Sequence, residues 1–61
     1  MDICGMVGKR LRELRKAKGL SQERLAELAG INPKYYSDVE RGKRNITIKN
    51  LERIASQLGV S

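Results

Sequence analysis

Between Asn32 and Asn45 the chain gathers side chains that donate hydrogen bonds or carry charge. They include Asn32, Lys34, Tyr35, Ser37, Arg41, Lys43, Arg44 and Asn45, with Asp38 and Glu40 as acidic exceptions among them. What is missing limits their chemistry. There is no His, the single Cys is Cys4 near the start, and no pair of carboxylates marks a plausible cleft. General acid–base and nucleophilic catalysis rest on such groups, so the chain reads as non-enzymatic. A usual zinc site and a disulfide framework are equally out of reach, and no metal or cofactor is expected. Recognition through charge and hydrogen bonds remains. Lys and Arg number 13 against 7 Asp and Glu, a net charge of +6, so a polyanion is the natural partner. Charge alone would describe a solvated surface equally well; the elements that carry it decide.

Those elements are short helices. Ser21 is an N-cap, its hydroxyl placed to accept from an orphan backbone N–H. Leu25, Ala26, Leu28 and Ala29 follow as an apolar stripe at helical spacing, and Gly30 ends it. Asn32 is the next N-cap, with Pro33 at the first helical position, where its missing N–H costs nothing. Tyr36 and Val39 are three apart and can point the same way, and Arg41-Gly42 closes that helix. Two short helices joined by about three residues around a Gly make a helix-turn-helix. Ahead of it, Val7, Leu11 and Leu14 recur at i, i+4, i+7 as far as Gly19. Behind it, Ile46 and Ile48 bring the loop back to the core, and Thr47 caps a last helix carrying Leu51, Ile54, Ala55 and Leu58. Gly59 ends that helix, with Val60 folding back on it. The expectation is one all-α domain over residues 1–61, a compact bundle of four helices at about 6–18, 21–29, 32–41 and 47–58. Its core would be Val7, Leu11, Leu14, Leu20, Leu25, Ala26, Ala29, Ile31, Tyr36, Val39, Ile48, Leu51, Ile54, Ala55 and Leu58. A chain this short buries about 60% of the surface its unfolded form exposes.

Gln22, Ala26, Gly30, an inward residue at 36, Val39 and the run Glu40-Arg41-Gly42 resemble the lambda-repressor/Cro-like (XRE-type) helix-turn-helix family of bacterial and phage regulators. The resemblance covers roughly Val7 to Val60. It implies a lambda-repressor-like DNA-binding domain, a transcription regulator or repressor. The physics suits each position: Ala26 is small where the second helix crosses, and Gly30 permits positive φ. Tyr36 departs from the Val or Ile usual there; it can still bury its ring and bring its hydroxyl to the rim. The resemblance also implies that Arg15 pairs with Glu40, tying the first helix to the third. Arg suits that place because it stays charged when partly buried and offers a bidentate fork. The run Glu-Arg-Gly-Lys-Arg-Asn further resembles the small controllers of restriction–modification systems.

In a helix-turn-helix the second helix enters the major groove and the first crosses the backbone. The groove helix here is Asn32 to Arg41, and with Tyr36 and Val39 inward it presents Pro33, Lys34, Tyr35, Ser37, Asp38 and Arg41. Lys34 can donate to guanine O6 or N7, Ser37 can donate or accept, and Asp38 can accept from cytosine N4. Tyr35 can press on a thymine methyl or reach a phosphate. Lys34 and Asp38, four apart, can instead pair along the helix. Gln22 at a helix N-terminus and Lys43, Arg44 and Asn45 after the groove helix suit phosphates, and Arg44 with Asn45 can also reach bases. Arg10 and Arg12 are further candidates for the backbone, while Lys16 and Lys18 read as a solvated face. The partner is double-stranded DNA, bound as a homodimer on a two-fold site, with Leu58 to Ser61 as the dimer surface. The alternative is a protein-interaction module of antitoxin or coactivator type. It would need an apolar patch on the outside of the last helix, where Lys49, Glu52, Arg53 and Gln57 stand. No apolar run approaches the roughly 20 residues that span a bilayer. Met1 to Val7 has no basic start and is too short for a signal segment, so a cytoplasmic protein is expected. No small-molecule effector is expected, and Cys4 reads as a free thiol near a mobile terminus.

Overall fold

The computed structural model describes residues 2–59. Four helices account for most of them: α1 (Ile3–Ala17), α2 (Gln22–Ala29), α3 (Pro33–Glu40) and α4 (Ile48–Leu58). No strand occurs among the described residues, and none of the helices is long and apolar enough to cross a membrane.

Local chemistry sets each start. Asp2 caps α1, its Oδ1 accepting from Gly5 N at 3.0 Å, so α1 begins three residues earlier than the apolar periodicity predicts. Ser21 Oγ accepts from Arg24 N at 3.0 Å and Thr47 Oγ1 from Asn50 N at 3.1 Å. Asn32 Oδ1 takes two bonds, from Lys34 N at 2.8 Å and Tyr35 N at 3.1 Å, with Pro33 at the first helical position. Ser21, Asn32 and Thr47 are therefore caps, not the first helical residues. The ends follow one pattern. At α2, Gly30 takes φ +72°, Ile31 N donates to Ala26 O at 2.9 Å and Gly30 N to Glu27 O at 3.2 Å. This paired closure uses the left-handed conformation that Gly adopts without a Cβ penalty.

α1 packs on α3, and α2 packs on both α3 and α4. Leu11, Leu25, Ala26, Ala29, Tyr36, Val39, Ile54 and Leu58 are buried between them, with Val7, Leu14, Leu20, Ile31 and Ile46 packed around. Two expected core residues are not there. Ile48 is 84% exposed and Leu51 36%. The side of α4 that reaches the core is set by Ile54 and Leu58, and Ile48 lies about 120° around the helix from Ile54. Ala55 is half-buried. Val60, expected to fold back on α4, lies outside the described residues.

Gly8 was not singled out by any motif, yet it decides how α1 meets α3. It is buried, and a Cβ built on it would collide with the Val39 carbonyl oxygen and stand 2.6 Å from that of Glu40. Gly42 repeats the close approach: a Cβ there would lie 2.9 Å from Gly5 Cα. Backbone meets backbone along this seam, which fixes the end of α3 and the loop after it against α1.

Candidate nucleic-acid interface

The end of α3 is held by a charged network. Arg15 Nε donates to Glu40 Oε2 at 2.7 Å and Arg15 Nη2 to Oε1 at 3.2 Å. Arg15 Nη1 donates to the Leu20 carbonyl at 2.7 Å, and Gln22 Nε2 to Glu40 Oε1 at 2.9 Å. The bidentate pair thus joins α1, the turn after it, the start of α2 and the last residue of α3. Both charged residues are buried. Burial pushes the Glu40 carboxylate up, but the bonds from Arg15 and Gln22, with the Tyr36 hydroxyl nearby, outweigh it and leave the pKa below its ordinary value. Arg15 is raised, chiefly by its bond to Glu40 against the opposing effect of burial.

Tyr36 is fully buried, so its hydroxyl does not reach the rim. Among the described residues no partner meets that oxygen in hydrogen-bonding geometry. Burial and the neighbouring Glu40 carboxylate raise its pKa well above the ordinary tyrosine value.

Along the outer side of α3, Pro33, Lys34 and Arg41 are exposed and Ser37 is half-buried. Of the two alternatives for Lys34 and Asp38, the structure shows the pair, with Lys34 Nζ 3.5 Å from Asp38 Oδ1. The Asp38 side chain is only 17% exposed, so it is turned toward the protein, while the Lys34 side chain is 79% exposed. Asn32 is exposed, but its Oδ1 is used as the cap, which leaves its amide nitrogen as the outward group.

Two expected contacts change character. Tyr35 does not stand free for a thymine methyl. It is half-buried, its hydroxyl donates to the Asn45 carbonyl at 3.3 Å and accepts from Asn50 Nδ2 at 3.4 Å, and the Arg44 guanidinium lies 5.1 Å from its ring centre. Gln22 is not an open first-turn side chain either, because its amide nitrogen is committed to Glu40. Cys4 is a free thiol, but it sits in the first turn of α1 and donates to Asn45 Oδ1 rather than lying on a loose terminus. Lys43, Arg44 and Asn45 remain exposed.

Two shallow troughs flank α3. One, toward α1 and α2, is lined by Arg12, Arg15, Gln22, Ser37, Glu40 and Arg41. The other, toward α4, includes Asn32, Tyr35, Arg44, Thr47, Asn50 and Arg53. None of Thr47, Asn50 and Arg53 was among the expected contacts, and the i, i+3, i+6 spacing of the capping Thr47 with Asn50 and Arg53 of α4 is the signal that could have joined them. Among the described residues no cluster of metal-ligating side chains occurs.

The sequence pattern of the helix-turn-helix family matches residues 11–61. The chain belongs to that family. In this helix-turn-helix protein α2 and α3 are the two helices of the motif, and Gly30 lies in its turn. It is 44% identical over 61 residues to control protein C.MunI from a Mycoplasma species, the match covering 98% of this chain and 82% of that one. The restriction–modification controller protein C.AhdI from Aeromonas hydrophila superposes with a TM-score of 0.92 at 48% identity, over 95% of this chain and 88% of that one. SinR, master regulator for biofilm formation, solved in complex with DNA, superposes with a TM-score of 0.87 at 41% identity, over 90% and 89%. The second helix of the motif, α3, thus carries the exposed Lys34, with the exposed Arg41 as its C-cap, and the loop after it carries the exposed Lys43 and Arg44.

Proposed function

We propose that this protein is a DNA-binding transcription regulator that reads a two-fold operator as a homodimer, its 61 residues acting as one DNA-binding domain. The observation that carries the reading is the outer side of α3 in a helix-turn-helix frame. Lys34 and Arg41 are exposed there with half-buried Ser37 between them, flanked by the exposed cations of the following loop. Lys34, Ser37 and Arg41 reach base edges, while Lys43, the amide of Asn32 and the start of α2 hold phosphates. The net charge of +6 favours the encounter with DNA. The protein works in the cytoplasm, and its chemistry is binding without catalysis.

One domain of this size offers few base contacts, which favours two copies. The end of the last helix cannot supply their interface from Leu58, which is 2% exposed and belongs to the core. Val60 and Ser61 lie outside the described residues. The apolar side chains left uncovered on α4 are Ile48 and Leu51, and they are the better candidates for a two-fold contact. The same pair could serve a protein-interaction module, but Lys49, Glu52 and Arg53 beside them keep the apolar area small. Selecting bound duplexes from a random pool tests the reading. The expected result is an inverted repeat with half-sites about 10 bp apart, bound by two protomers in the ultracentrifuge. A monomer binding one asymmetric half-site tightly would overturn the dimer, and no enriched sequence would overturn the reading.

A further inference from the structure

The loop between α3 and α4 is tied down where a simple phosphate clamp need not be. Its backbone is held at Asn45, whose carbonyl accepts from the Tyr35 hydroxyl at 3.3 Å. Asn50 Nδ2 reaches the same Tyr35 hydroxyl at 3.4 Å, so α4 closes the arrangement. Next to Asn45, the Arg44 guanidinium lies over the Tyr35 ring, 5.1 Å from its centre. Lys43, one residue earlier, is exposed and takes part in none of these contacts.

We propose that Tyr35 is a positioning residue that presents Arg44 to a base edge, so that α3 and the loop after it read DNA as one unit. This rests on the DNA-reading role given to α3 above. A phosphate is satisfied by a positive charge arriving from many directions, and a mobile side chain serves it well. A guanine is different: its O6 and N7 are met by both prongs of a guanidinium lying in a set plane. Stacking on an aromatic ring sets that plane and removes rotamer freedom before DNA arrives. Tyr35 supplies both parts, the ring under the guanidinium and the hydroxyl that pins the adjacent backbone. Its loss from the groove-facing row is thus a change of task, from contacting DNA to aiming the residue that does.

The test compares Tyr35→Leu, Tyr35→Phe, Arg44→Lys and the Tyr35→Leu/Arg44→Lys double variant with the parent protein. Each is titrated at several salt concentrations on the selected operator, on its single base-pair variants and on random duplex. Arg44→Lys keeps the charge and loses the fork. Tyr35→Leu keeps Arg44 and loses its support. Both should lose about tenfold on the operator and flatten preference at the same base pair, with random-duplex affinity and salt slope unchanged. The double variant should lose no more than either alone. Tyr35→Phe keeps the ring and should retain part of the preference that Tyr35→Leu loses. Thermal melts establish that each variant is folded. If Tyr35→Leu is not, Asn50→Ala, which removes only a partner of the hydroxyl, should flatten the same base pair, and no flattening there would overturn the proposal. Multiplying losses in the double variant, flattening at different base pairs, or equal weakening on random duplex would each overturn it as well. Lys34→Ala separates the two failures. If it relaxes a base pair while Tyr35→Leu relaxes none, the positioning role alone falls; if neither does, the groove reading itself falls.

Discussion

Arg15 and Glu40 are both nearly closed off from water and hold each other by two bonds, 2.7 and 3.2 Å long. Removing one leaves the other buried and unpaired, which is costly, whereas a surface pair is worth only about 0–1 kcal/mol. In so small a domain no side chain is far from solvent, so the loss for Arg15→Ala or Glu40→Ala falls near about 3 kcal/mol, the low end for buried pairs. The double variant should lose much less than the sum; urea melts measure the cycle, and strictly additive sub-kcal losses would mean the pair contributes nothing. The pH dependence follows from the sign of the shift. Glu40 has its pKa lowered on folding, so its contribution is full above the ordinary carboxylate range and is lost as the pH falls through the depressed value. Glu40→Gln should flatten the acid limb of a stability-against-pH curve. Tyr36 makes the opposite kind of prediction. Its hydroxyl is buried without a partner, and such a group costs about 1–3 kcal/mol. Tyr36→Phe should therefore leave stability unchanged or raise it by about 1 kcal/mol; a lower urea midpoint would show that the hydroxyl is bonded to Glu40 after all. The pairing of Arg15 with Glu40 was legible in the sequence, because residue type and family position pointed the same way. The unpartnered hydroxyl was not, because an inward Tyr ring says nothing about what its oxygen will meet.

At the scale of elements, caps and glycines were readable because each acts through bonds to residues two to five away. Ser21, Asn32, Thr47 and Gly30 all perform the roles their types suggest. What the chain order hides is contact between elements. Tyr35 looks like a free groove residue until the loop ten residues later closes on it. Ile48 and Leu51 look like core until Ile54 and Leu58 fix which side of α4 turns inward. Gly8 is the sharpest case, since local and tertiary reasoning give opposite signs for one substitution. In an isolated helix Gly8→Ala should gain up to about 1 kcal/mol through helix propensity. In this protein the new Cβ would strike the carbonyls of Val39 and Glu40, which are backbone and cannot rotate away. The α1–α3 seam must open, and overpacking of this kind costs about 1–3 kcal/mol. Gly8→Ala should therefore lower the urea midpoint. Because the seam also sets Glu40, it should weaken the Arg15–Glu40 coupling as well. An unchanged or higher midpoint would mean that α1 and α3 pack less closely than described.

At the scale of the molecule, a net charge of +6 and a helix-turn-helix point to DNA, but only the placement of each cation separates holding from reading. Lys34 and Lys43 share one chemistry and differ in place. Lys34 stands on the outer side of α3, four residues before Asp38, which lies 3.5 Å from its ammonium group. Lys43 follows the α3 closure in which its own backbone N–H donates to the Asp38 carbonyl at 2.9 Å, and its side chain is exposed. A lysine on a phosphate releases about one counterion when it binds, whatever the sequence. Lys43→Ala should therefore weaken operator and random duplex alike and reduce the magnitude of the salt slope by about 1. Lys34→Ala should cost about 1–3 kcal/mol on the operator, relax preference at one base pair, and change random-duplex binding little. The Asp38 carboxylate sharpens the contrast. It offsets part of the Lys34 charge along the helix, so on the proposed reading the Lys34 change should fall on a base edge more than on nonspecific attraction. Titrations on both duplexes across a salt series make the comparison. Equal weakening on both by the Lys34 change would remove α3 as the reading element, whatever the fold around it.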